Sequence, residues 1–239
     1  MTLTATQTVG EIAAQTPNAT REFEKLGIDY CCGGGRTLGE ACAAANISLD
    51  DALARLEKSL ASAPPAAQNW QSQLLADLIA HITGTHHVFV REECPRIQAL
   101  AAKVVGVHGA NHPELVQVQA IFTALAEELR VHLMKEEQVL FPYVLLMEEG
   151  SLAHEPVPPS PFGTVMNPVR MMMQEHDGAG EALRSLRSVT RDYTFPPDAC
   201  ISYRTLFQAL RDFESDLHQH IHLENNVLFP RAVALESRS

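Results

Sequence analysis

One phrase occurs twice in this chain and narrows the folds that can hold it. Residues 132–142 read HLMKEEQVLFP, and residues 220–230 read HIHLENNVLFP. Each copy sets a His four residues ahead of a Glu (His132 and Glu136; His220 and Glu224), and each closes on Leu-Phe-Pro. On an α-helix, positions four apart stack on one face. These faces belong to apolar stripes. Val118, Phe122, Leu125 and Leu129 lead into the first copy and Val139 follows it; Leu206, Leu210, Phe213 and Leu217 lead into the second and Val227 follows. Such steps of three and four mark the core side of a helix. An uncompensated buried carboxylate costs several kcal/mol, against a domain's whole margin of about 5–15 kcal/mol. Two such faces turned towards each other call for cations between them, which turn each imidazole and carboxylate into a ligand.

The spacing predicts an all-α chain. Four long amphipathic segments run over about 72–94, 113–148, 168–190 and 198–235, with a Pro-rich stretch from Glu155 to Pro168 between the second and third. The repeat covers more than the phrase: His132 and His220 are 88 residues apart, as are Glu136 and Glu224, while His87 and His176 are 89 apart. Segments one and two therefore recur as segments three and four, the pattern of a four-helix bundle built from two related hairpins. Ahead of it, residues 1–60 carry their own helix starts. Thr8-Val-Gly-Glu11 and Thr37-Leu-Gly-Glu40 are capping boxes, Thr16-Pro17 puts Pro where a helix begins, and Ser48 opens another. A small domain of about four short helices is expected there, then a linker over 61–71 rich in Ala and Pro, then the bundle over 72–239.

The candidate ligands follow from the stripes. His176 lies with Val169, Met172, Met173 and Leu183 on the inward side of the third segment. In the first, Leu75, Leu78, Ile79, Ile82 and Phe89 form the stripe; periodicity favours His86, and the repeat spacing favours His87. His218 and His222 are also four apart, but they align with Arg130 and Met134 and read as flanking residues. His81, His108, His112 and His154 read as surface or loop histidines. Imidazoles and carboxylates without cysteine on the four-residue grid suit iron or manganese better than a thiolate-rich zinc site. Two bridging glutamates would leave about two positions per metal for an oxo or hydroxo bridge and an outside ligand. Glu128, one turn before His132, and Glu175, beside His176, are candidates for supporting or transient iron ligands.

Cys31 and Cys32 precede the glycines at 33–35 and a helix start near Thr37. Backbone N–H groups there are expected to stabilise thiolates that handle iron, sulfur or nitrosyl groups. Cys42, Cys94 and Cys200 read as buried or incidental. An odd total of five suggests reduced thiols.

These motifs together carry a resemblance. DYCCGG at 29–34, EHDGAGE at 175–181 and the two phrases ending in Leu-Phe-Pro resemble the RIC (repair of iron centres) family, the YtfE/ScdA/DnrN type of hemerythrin-like di-iron protein. The resemblance covers nearly the whole chain. It implies a hemerythrin-like bundle with a small helical N-terminal domain, and two iron ions held by His87, His132, Glu136, His176, His220 and Glu224. The family's first His precedes a Pro by eight residues, which selects His87 ahead of Pro95; the family's tyrosine before that ligand is replaced here by His86.

The implied function is a response to nitrosative and oxidative stress: repair of damaged iron–sulfur clusters by supplying iron, with binding of nitric oxide. Two other uses compete with iron supply, namely reduction of nitric oxide to nitrous oxide and simple carriage or sensing of NO or O2. No flavin or nicotinamide fingerprint is visible, so a reductase would draw electrons from elsewhere. The expected partners are iron–sulfur client proteins and nitric oxide, with the chain a monomer or homodimer. Acids outnumber bases 29 to 18, for a net charge of −11, which argues against nucleic-acid or anionic-membrane binding. The polar N-terminus without a basic start reads as no signal peptide, giving a cytoplasmic expectation.

Overall fold

The computed structural model describes residues 3–61 and 69–237. The expected linker over 61–71 lies largely outside them. Among the described residues the structure is helical, with one isolated antiparallel bridge between Thr8 and Thr37, and no helix is long and apolar enough to cross a membrane. Two compact units emerge: one comprises Met1–Ala80, Tyr143–Met166 and His218–Ser239, the other His81–Pro142 and Asn167–Leu217.

The first unit opens with four short helices, α1 (Val9–Gln15), α2 (Pro17–Leu26), α3 (Leu38–Ala44) and α4 (Leu49–Ala61). Both expected capping boxes form: Thr8 accepts from Glu11 N while Glu11 accepts from Thr8 N, and Thr37 and Glu40 do the same. Thr8 and Thr37 also face each other across the bridge, flanked by Val9 N–H to Arg36 O (2.9 Å) and Leu38 N–H to Gln7 O (2.8 Å). Two helix starts are thereby fixed back to back. Ile12, Phe23, Tyr30, Leu38 and Leu56 fill the core between them.

Three further clasps in this unit involve α5 (Leu75–His81), the last turns of α8 (Phe141–Ala153), the start of α9 (Met166–Val189), and α11 (Phe229–Glu236). Glu148 accepts from Leu75 N (2.6 Å) and Ala76 N (2.8 Å), so a carboxylate caps the start of α5. Glu236 accepts from Val165 N (2.8 Å) and Thr164 Oγ1 (2.6 Å), immediately ahead of α9. These two glutamates stand at the same 88-residue offset as the repeated phrase, so the internal symmetry extends to the capping of each hairpin. Arg231 donates to Trp70 O (2.6 Å) and Gln73 O (2.5 Å).

The second unit is built from α6 (Val88–His108), α7 (Glu114–Lys135), the body of α9 and α10 (Ile201–Leu223) up to Leu217. Phe213 is its aromatic centre: Phe89 stacks on it at 6.2 Å and Phe122 meets it edge-on at 5.2 Å. The first long segment does not end near Pro95 as expected but runs to His108. Ile97, Ala101 and Val104 continue its buried face, and that burial outweighs the roughly 3 kcal/mol a mid-helix Pro costs.

Two stripe residues were misplaced by simple periodicity. Val139 is 48% exposed while Leu140 is buried, and Met173 is exposed while Met172 is buried. The first has a definite cause, a π turn over Glu136–Leu140. Regular helical geometry puts Val139 roughly 20° from the direction of His132 and Leu140 roughly 80° away. The wider i→i+5 turn, closed by Phe141 N–H to Glu136 O, swings Leu140 into the core place and Val139 out of it.

Candidate metal centre

Three π turns interrupt the long helices, at Ile82–His87, Glu136–Leu140 and Glu224–Leu228. Each contains one of the candidate ligands. Single π turns inside α-helices are rare and cluster at functional sites. The repeated Leu-Phe-Pro explains two of them. Pro142 and Pro230 cannot donate an N–H, and a proline ring crowds the carbonyl four residues back. A widened turn just ahead of each Pro accommodates that ring. In the first, a regular helix would carry His87 roughly 140° away from Ile82; the extra residue brings it round. His86 and His87 are both buried, at 4% and 0% exposure. His86 turns to Asp216, with Nδ1 at 2.9 Å from Oδ1.

In the second unit, His87, His132, Glu136 and His176 are all buried. The Nε2 atoms of His87 and His132 each lie 3.4 Å from Glu136 Oε2, and the Nε2 atoms of His132 and His176 are 3.1 Å apart. His132, Glu136 and His176 each offer a ligand atom within 4.8 Å of the others. In the first unit, His220 Nε2 lies 3.0 Å from Glu224 Oε1, with both side chains buried.

The far side of two imidazoles is fixed by carboxylates. His87 Nδ1 donates to Glu137 (2.7 Å), which also accepts from Arg91 Nη2 (2.6 Å). His132 Nδ1 donates to Glu175 (2.8 Å), which also pairs with Lys135. With the Nδ1 proton so placed, each ring presents its Nε2 lone pair inward. Burial pushes the Glu137 carboxyl up, but the hydrogen bonds from His87 and Arg91 outweigh it and hold the group below the ordinary range. Burial likewise opposes Lys135 and His132 at Glu175, and again the partners prevail. Sequence reasoning named Glu175 and missed Glu137; its signal was the Glu-Glu pair at 136–137, of which only the first lay on the stripe. Glu128 is exposed. It lines a groove of about 680 Å³ between α7 and α9, whose walls also include Glu127, His132, Lys135, Glu175 and His176.

Cys31 is buried and Cys32 half-buried, their sulfurs 3.9 Å apart. The N–H groups expected to stabilise thiolates are already taken. Asp29 Oδ1 accepts from the N–H of Cys31 (3.2 Å), Cys32 (3.0 Å) and Gly33 (3.1 Å), and from the Cys31 thiol (3.2 Å). The hydrogen bond to Cys32, burial and the Asp29 carboxylate all push Cys31 well above the usual thiol range. Asp29, Cys31 and Cys32 nevertheless offer three ligand atoms within 4.8 Å of one another. His218 and His222 pack on the Tyr30 ring, with centroids at 6.4 and 5.4 Å. Burial pushes His222 down to about 4, against hydrogen bonds to the backbone of Tyr30 and Ala13.

Residues 78–232 match the family described as the hemerythrin HHE cation binding domain. Residues 5–60 match ScdA_N, described as a domain of unknown function, DUF542. The iron-sulfur cluster repair proteins YtfE of Escherichia coli O1:K1 and Escherichia fergusonii are each 39% identical over 231 residues, 96% of this chain and 98% of theirs. That of Escherichia coli O81 is 38% identical over the same span.

Proposed function

Because the chain belongs to the hemerythrin-like iron–sulfur cluster repair family, we propose that it supplies iron to damaged iron–sulfur clusters from a pair of irons. His87, His132, Glu136, His176, His220 and Glu224 would hold them. The observation that carries this reading is the donor set itself: two carboxylates at 0% exposure, each within 3.4 Å of an imidazole nitrogen. Fully buried carboxylates among imidazoles fit divalent or trivalent iron, which takes both donor types. When bound, the irons would supply the exchangeable cargo and a place for a small diatomic such as nitric oxide.

The chain's own residues prepare that cargo. Glu137 and Glu175 fix the rings of His87 and His132, and Arg91 and Lys135 offset the charge of those two carboxylates. The groove past Glu128 gives solvent a way towards His132 and His176. Cys32, the more exposed of the vicinal thiols, would take up iron or a nitrosyl group. Cytoplasmic work on iron–sulfur client proteins, in response to nitrosative stress, completes the reading.

The test is metal analysis with Mössbauer spectroscopy on protein purified without air, followed by incubation with an apo-ferredoxin. Two antiferromagnetically coupled irons per chain, lost together in the Glu136→Leu, Glu224→Leu double variant, and cluster formation on the acceptor are expected. Full iron loading in the double variant would overturn the metal site. Irons retained in the presence of the acceptor would overturn the donor role, and evolution of nitrous oxide on adding NO would point to reduction instead.

A further inference from the structure

The second copy of the repeated phrase departs from the first at positions outside the candidate ligands. At the 88-residue offset, His218, His222, Asn225 and Asn226 stand where the first copy has Arg130, Met134, Glu137 and Gln138. Within the first unit, these four residues all meet the cysteine loop. The two histidines pack on Tyr30. Asn225 Nδ2 donates to Cys31 O at 3.4 Å; Asn226 Nδ2 donates to Tyr30 O at 3.2 Å and Cys31 O at 3.3 Å, and lies 3.1 Å from His222 Nδ1. The seat of Asn226 is closely fitted. A Cβ on Gly10 would come within 2.3 Å of Asn226 Oδ1, and one on Gly34 within 2.4 Å, so only glycine at both positions lets the amide in. Asn225 and Asn226 directly follow Glu224 in the π turn Glu224–Leu228.

We propose that Asn226 is a positioning residue: it ties the Cys31–Cys32 loop to the turn that carries Glu224, so that the state of the thiols sets the placement of that carboxylate. The proposal rests on Glu224 being an iron ligand. The loop keeps its shape because one oxygen of Asp29 gathers three N–H groups and the Cys31 thiol. When a thiophilic cation binds, the thiol proton leaves to water. Cys31 then no longer donates to Asp29, and the hydrogen bond that gathers the loop on that carboxylate is lost. The backbone that must shift in response includes the Tyr30 and Cys31 carbonyls held by Asn226. The asymmetry of the repeat is thus the mark of a docking surface that the first copy lacks.

The experiment uses the full iron-loaded chain in a Cys200→Ser background, without air. Iron release to a coloured ferrous chelator is timed before and after capping the thiols with methyl methanethiosulfonate, and Mössbauer spectra are taken of both forms. Capping is expected to change the release rate roughly fivefold or more and to shift the quadrupole splitting of one iron. Asn226→Ala, and independently Gly34→Ala from the loop side of the same seat, are expected to reduce the response to less than about twofold. The Cys31→Ser, Cys32→Ser chain is expected to show no response. Either seat variant, folded by circular dichroism, with the parent's spectrum and the parent's response to capping would overturn the proposal. Glu224→Leu tells that failure from failure of its premise: if this variant keeps both irons and the parent spectrum, the ligand assignment itself falls.

Discussion

Replacing Leu140 or Val139 by alanine tests the π turn that opens at Glu136. The two residues are neighbours, yet Leu140 is 1% exposed and Val139 is 48% exposed. Truncating a buried Leu to Ala removes its transfer free energy and leaves a cavity, at a cost of about 2–5 kcal/mol. Truncating a half-exposed surface Val stays within about 0.5 kcal/mol. For a domain of this size each kcal/mol moves the melting temperature by roughly 2–4 °C. Leu140→Ala is therefore expected to melt about 4–20 °C lower and Val139→Ala less than about 2 °C lower. The assay is a thermal melt with a matched urea titration on metal-free protein, since bound iron would add its own stabilisation to both variants. A regular helix through Glu136 gives the opposite order, with Val139 inside. If Val139→Ala proves the costlier change, the π turn is absent and the register argued for Leu140 and the residues beyond it fails with it.

Three further outcomes follow from the geometry. Glu137→Ala, which frees the Nδ1 side of His87, is expected to weaken iron binding about 10- to 100-fold in chelator competition, whereas the exposed Glu128→Ala leaves that affinity unchanged. His222 is neutral in the folded chain down to about 4, against its ordinary 6.5, so unfolding takes up a proton between those values. The associated stability, about 3 kcal/mol, is full above pH 6.5 and is lost as the pH falls through 4; urea midpoints of metal-free protein that stay flat between pH 7 and 4 would contradict it. Brief alkylation followed by peptide mass analysis is expected to label Cys200 and Cys32 well before Cys31, which is buried and donates its thiol proton to Asp29; prior labelling of Cys31 would refute that hydrogen bond.

The helical class, the two capping boxes and the apolar stripes were legible in the chain because each rests on short-range chemistry. Thr8 and Thr37 reach N–H groups three residues away, and steps of three and four put Phe122, Leu125 and Phe213 on core faces wherever a regular helix forms. The 88-residue repeat likewise needed only counting. What periodicity could not give was the helix register beyond each irregularity. His87, Val139 and Leu140 depend on whether a turn closes at i+4 or i+5, and that choice is made by prolines, packing and the surroundings of a buried carboxylate together. Partners distant in sequence were hidden for the same reason. Glu137 with His87, Glu148 with Leu75, and Asn226 with Tyr30 are hydrogen bonds that exist only once segments far apart in the chain lie side by side. Which residue types had to be shielded from water could be read along the chain; which neighbour each would meet was set by the folded arrangement, because hydrogen bonds and ion pairs act over a few ångströms of space whatever the separation along the chain.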